Sequence, residues 1–185
     1  MSETESFVGD SPPGFEAAFR RFQDELQAVC ESAPPWPERI VACTGAALNF
    51  AAINPTVAHV LTNETLAGGR EGYERFERLV DYAAAPLAAG RERVPETKQP
   101  PPITERVLVS GIALIVGEHV RQNRSSDLPQ MTADVARFVL TPYLGEREAD
   151  RVAAAARADA RSSHPADDGE LPEKSASSRR ELRNR

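Results

Sequence analysis

Cysteine is scarce in this sequence, with Cys30 and Cys43 the two among 185 residues. Their spacing suits no metal site, and so few cysteines make no disulfide framework. A reduced, cytoplasmic chain is the expectation. Long apolar runs are missing as well. The longest, Val107 to Gly117, is interrupted by Ser110 and Gly111, and is about half the roughly 20 residues that a bilayer crossing needs. The start, MSETESFVGDSPP, is acidic and lacks the basic-then-apolar order of an export signal. No membrane association is expected. Positive charge is in deficit: 22 Lys and Arg face 28 Asp and Glu, a net charge of -6. Phosphate backbones are gripped by basic footprints, so no direct DNA binding is expected of this chain alone.

Catalytic patterns are equally thin. His59 and Glu64 lie five apart, a spacing that one helix face does not offer as a ligand pair, and Glu118-His119 has no second pair to join. Both histidines are read as satisfied interhelical or interface residues. Gly68-Gly69 and Gly111 follow no strand, so neither is a phosphate or dinucleotide loop. Without a nucleophile and base or a metal cluster, the chain is not read as an enzyme, and no cofactor is expected.

What is present is helical periodicity. Pro12-Pro13-Gly14 opens a helix with Phe15, Phe19, Phe22, Leu26 and Val29 on one face. Pro34, Pro35 and Pro37 end it and lead into a second, Trp36 to Ile53. Its inner stripe is Trp36, Ile40, Cys43 or Thr44, Ala47, Phe50 and Ala51. Asn54-Pro55 breaks it. A short helix follows from Thr56 to about Leu66, then one from about Arg70 to Ala89 with Tyr73, Phe76, Val80, Ala83 or Ala84 and Leu87 inward. Residues 91–102 read as a polar, Pro-rich loop. ITERVLVSGIALIVGEHVRQN, from Ile103, is a helix that is apolar nearly all round and so needs cover on two sides. A stripe helix, Leu128 to Leu144, completes a hairpin with it. EREADRVAAAARADAR reads as one more exposed helix. The polar remainder reads as a disordered tail, and its closing SRRELRNR as a charged part of that tail. The expected organisation is a lead-in at 1–11, one all-α domain of six or seven helices at 12–160, and a tail at 161–185.

Two stretches, FAAINPTVAHVLTNETLAGG at 50–69 and FVLTPYLG at 138–145, sit in an order of helices that resembles the C-terminal ligand-binding and dimerisation domain of TetR-type (tetracycline-repressor-like) transcriptional regulators. The resemblance covers about residues 15–155. It implies a helical bundle that senses a small apolar or amphipathic molecule and pairs with a second subunit. The family's helix-turn-helix head has no counterpart in the acidic residues before the first helix, so a regulator without its own DNA-reading head is expected. It would act as a homodimer, or as a heterodimer with a related full-length regulator.

On that reading, the residues that bind ligand are Phe19, Phe22, Leu26, Phe50, Asn63, Glu64, Tyr73, Phe76 and Tyr82, with Tyr73, Asn63 or Glu64 as polar contacts. A cavity of a few hundred Å3 is expected among them. The plain alternative is that these aromatics are core. The dimer face is expected at Leu108, Ile112, Ile115, His119, Met131, Val135 and Phe138, where Ser110 and Gly111 allow close approach. The rival function is a helical protein-protein interaction module, a mixed-dimer or antirepressor partner, with no ligand.

Overall fold

Prolines set the breaks of this fold. The structure, a computed structural model, describes residues 14–32, 35–96 and 99–163. Helix α1 (Phe15–Ser32) stops short of the Pro34 to Pro37 stretch, and α2 (Trp36–Ile53) carries Pro37 in its first turn, where its missing N–H leaves no bond unmade. At the other end of α2, the backbone N–H and Nδ2 of Asn54 both donate to the Phe50 carbonyl, at 2.8 and 3.1 Å. Pro55 then turns the chain by 107° into α3 (Pro55–His59), a π-helical turn (Val60–Glu64) and the single turn α4 (Thr65–Ala67). Next come α5 (Gly69–Ala88), α6 (Thr104–Arg121), α7 (Thr132–Leu144) and α8 (Glu146–Ser163). The described residues form an all-α bundle with no strand. No single described helix is long and apolar enough to cross a membrane.

Three expectations about elements need correction. The last helix of the hairpin begins at Thr132 and not at Leu128; Ser125–Met131 is a 3-10 turn instead. The region after α5 opens with a 3-10 turn, Arg91–Arg93. Helix α8 is not simply exposed: Ala149, Val152 and Ala153 are buried on one face, against α7 above all. The expected lead-in at 1–11 lies outside the described residues, as does the tail from 164.

The apolar stripes collect into three clusters. One joins Trp36, Ile40, Phe76, Val80 and Leu108 to Val139, Leu140 and Tyr143. A second is the aromatic face of α1 against Phe50, Val57, Leu61 and Leu79. A third holds Leu48, Ala51, Val116, Val120, Leu128 and Val135. Trp36 anchors the first. Its ring lies edge-on to Tyr143, centroids 5.3 Å apart, and its indole N–H donates to the Pro86 carbonyl at 2.8 Å. Gly90 makes room for it, since a Cβ there would stand 2.1 Å from the indole.

Two further contacts were not legible in the sequence. The α1–α2 hairpin brings Cys30 and Cys43 together as a disulfide, Sγ to Sγ 2.09 Å, which corrects the expectation of two separate thiols. Behind α6, the buried Glu105 accepts two N–H bonds from Arg91, at 2.6 and 2.7 Å, and the Tyr143 hydroxyl at 2.7 Å. Arg91 also donates to the Pro100 and Pro101 carbonyls, tying the loop to the end of the bundle. Burial alone would raise the Glu105 pKa; the bonds from Arg91 and Tyr143 outweigh it and hold the carboxyl below its ordinary range. Burial first, then the bond to Glu105, push the Tyr143 phenol up.

Candidate ligand pocket

Where the three clusters fail to meet, a pocket of about 130 Å3 remains. Its walls explain it. Alanine supplies five of the facing positions, Ala47, Ala51, Ala58, Ala83 and Ala113, each too short to cross the gap. Around them stand Phe22 and Leu26 from α1, and Ile40, Cys43, Thr44, Leu48 and Phe50 from α2. Leu61 and Thr62 come from the π turn, and Leu79, Pro86 and Leu87 from α5. Val109, Ile112 and Val116 of α6, with Val135 and Val139 of α7, close the remaining side.

No aspartate, glutamate, lysine, arginine or histidine lines the pocket. Two hydroxyls are its polar side chains. Thr62 donates to the Ala58 carbonyl at 2.8 Å, the usual back-bond of a helical threonine. Thr44 lies on α2, half-buried. The π turn is fixed from the far side by Asn63, whose Nδ2 donates to the Gly117 carbonyl at 3.1 Å. Gly117 permits that approach: a Cβ there would lie 3.0 Å from Asn63 Oδ1 and 3.1 Å from Thr62 Oγ1. Insertions of this kind in helices are frequent at functional sites.

Of the nine residues expected to bind ligand, the structure brings Phe22, Leu26 and Phe50 to the pocket wall. Phe19 is buried one turn away, stacked on Phe15 and edge-on to Tyr82. Tyr82 packs against Phe22 from behind, its hydroxyl donating to the Gln23 carbonyl at 3.3 Å. Phe76 is buried in the first cluster, off the pocket. The three expected polar contacts need correction. Tyr73 is 57% exposed and Glu64 is exposed, while Asn63 is spent on Gly117 and on His59 Nδ1, 3.2 Å away. The cavity is also smaller than the few hundred Å3 expected.

No family model, curated protein or solved structure matches the chain. The walls are therefore read from their own chemistry. A half-open pocket of this size, lined by Leu, Ile, Val, Phe and Ala, is close in volume to the roughly 150 Å3 of an apolar cavity that takes up benzene.

The expected dimer residues divide. Leu108 and Val135 are buried in the chain's own core, and Ile112 lines the pocket, because α6 packs against α5 and α3 above all, and also against α2 and α7. Met131 is half-buried against the third cluster. His119 is half-buried, with Nδ1 2.9 Å from the Ile115 carbonyl. Ile115 and Phe138 stand outward, 42% and 57% exposed. Val107 and Leu114 of α6, at 59% and 55%, were not singled out for the dimer face. Their signal was available: with Ile103 they recur on one face of the helix.

Proposed function

We propose that this chain is a small-molecule-sensing, dimerising regulatory domain, the part played by the C-terminal domain in TetR-type transcriptional regulators. The observation that carries the reading is the uncharged pocket built from six helices and the π turn, at the place where three core clusters diverge. A void of this kind lowers stability by roughly 24 cal/mol per Å3, so an apolar ligand that fills it gains both contact and desolvation. The outward apolar face of α6 supplies the pairing surface, to a second copy or to a related full-length regulator. The acidic chain reaches DNA only through such a partner.

A ligand that prefers one arrangement of α6 and α7 over another shifts the population by that preference, and so alters how the pair is presented to its partner. The test is thermal unfolding of the purified protein against a panel of one-ring apolar compounds. A true ligand at a hundred times its dissociation constant adds about 2.7 kcal/mol to stability. If no compound in the panel moves the midpoint, the sensing reading fails. The rival, an interaction module with no ligand, then stands on the exposed α6 face alone.

A further inference from the structure

Thr62, Thr65 and Thr141, unlike the first-turn Thr56 and Thr104, keep their hydroxyls occupied. Thr62 donates to Ala58, Thr65 to Leu61 and Thr141 to Arg137, each to the carbonyl four residues back, at 2.7 to 2.9 Å. Thr44 is different. It lies mid-α2, on the pocket wall, and its hydroxyl has no hydrogen-bond partner among the described residues. It is not sealed from solvent either: among the described residues, Arg39 Nε is the one fully buried side-chain nitrogen or oxygen without a partner. A threonine hydroxyl can both donate and accept. The rest of the wall is hydrocarbon or already bonded, with no ionisable group. A charged ligand would therefore lose its hydration without gaining a counter-charge.

We infer that the pocket takes an uncharged one-ring molecule bearing a single hydrogen-bonding group, and that Thr44 is the residue that recognises that group. The inference rests on the pocket reading above and deepens it. Size sets the one-ring limit, because about 130 Å3 is comparable to the roughly 150 Å3 that accepts benzene, and the half-open mouth leaves room for one substituent. The free Thr44 hydroxyl sets the preference for a phenol-like compound over the plain hydrocarbon.

Titration calorimetry of the full chain with phenol, toluene and benzoate tests this. The wild-type chain is expected to bind phenol and toluene and to show no heat of binding with benzoate. Thr44→Val keeps the shape and removes the hydroxyl. It should weaken phenol by at least ~5-fold, the factor that about 1 kcal/mol carries, and leave toluene within about twofold. Thr44→Ser, which retains the hydroxyl, should retain the phenol affinity, and so should Thr141→Val, which removes a back-bonded hydroxyl away from the pocket. If Thr44→Val does not fold, Thr44→Ala against Thr44→Ser makes the same comparison. Phenol and toluene binding that Thr44→Val leaves alike, or weakens alike, overturns the role of Thr44 while the pocket reading stands. Benzoate bound as tightly as phenol overturns the uncharged class. Binding of neither phenol nor toluene removes the pocket reading and this inference together.

Discussion

Glu105 is a carboxylate 4% exposed, and its charge is tolerated because three bonds from Arg91 and Tyr143 replace water. Its folded pKa lies below its unfolded value, so the ionised form favours the fold. The stability it contributes is fully present above the unfolded value of about 4.3 and is lost as pH falls through the lower folded value. Tyr143→Phe removes one donor to a charged acceptor, and the expected loss is about 1.5–3 kcal/mol at pH 7. Urea unfolding at pH 7 and pH 3 measures it. The gap between wild type and variant should be narrower at pH 3 than at pH 7, because the fall in pH moves the carboxyl toward its protonated form, which needs the phenol less. An equal gap at both values would mean that the hydroxyl serves packing and not the carboxylate. This group is not legible in the sequence. Its members are 14 and 38 residues apart, and nothing local marks a glutamate in an apolar helix as inward-facing.

Helix boundaries were legible because their causes are local. Pro37 and Pro55 mark the starts and Asn54 and Gly145 the stops of helices that the structure places within a residue or two of expectation. Helix α6 was legible as a helix but not in orientation. Apolar on both sides, it carries no pattern that says which side turns inward, so Leu108 and Ile112 were assigned to a partner although their own chain covers them. What remains outward is Val107, Leu114 and Ile115, with Phe138 on α7. Gly111 lies in the same stretch, with open space where a Cβ would be, so a second helix can come close. The expected dimer buries on the order of 1,600 Å2. Leu114→Arg and Ile115→Arg should each give a monomer with unchanged helical circular dichroism, because these positions are exposed in the single chain. Ile112→Arg should instead lose structure, since it places a charge in the pocket wall. Multi-angle light scattering separates the cases, and dimers that survive both outer substitutions would put the interface elsewhere.

The pocket is a property of the whole molecule, which is why the sequence indicated its kind but only a third of its expected residues. Large aromatics mixed with many alanines predict uneven packing; where the unevenness falls depends on how three clusters are spaced by helices far apart in the chain. Phe22 and Phe50 meet there, their rings 5.5 Å apart, whereas Phe76, on an equally clear stripe, is covered by the first cluster. At the roughly 24 cal/mol per Å3 of a sealed cavity, about 3 kcal/mol is the ceiling on what the empty volume of this half-open pocket costs, against the 5–15 kcal/mol typical of a domain. Filling it from within should recover some of that. Ala113→Leu adds its side chain at a half-buried position on the pocket wall. The expected result is a thermal midpoint equal to or above wild type without ligand, together with loss of the shift that toluene produces. Ala136→Leu is the control. Ala136 is fully buried and off the pocket, so the same added carbons overpack a filled core and should lower stability by about 1–3 kcal/mol. Scanning calorimetry of both variants, with and without toluene, makes the comparison. If Ala113→Leu destabilises as much as Ala136→Leu does, the space at the cluster junction closes in solution, and no ligand is needed to explain the fold.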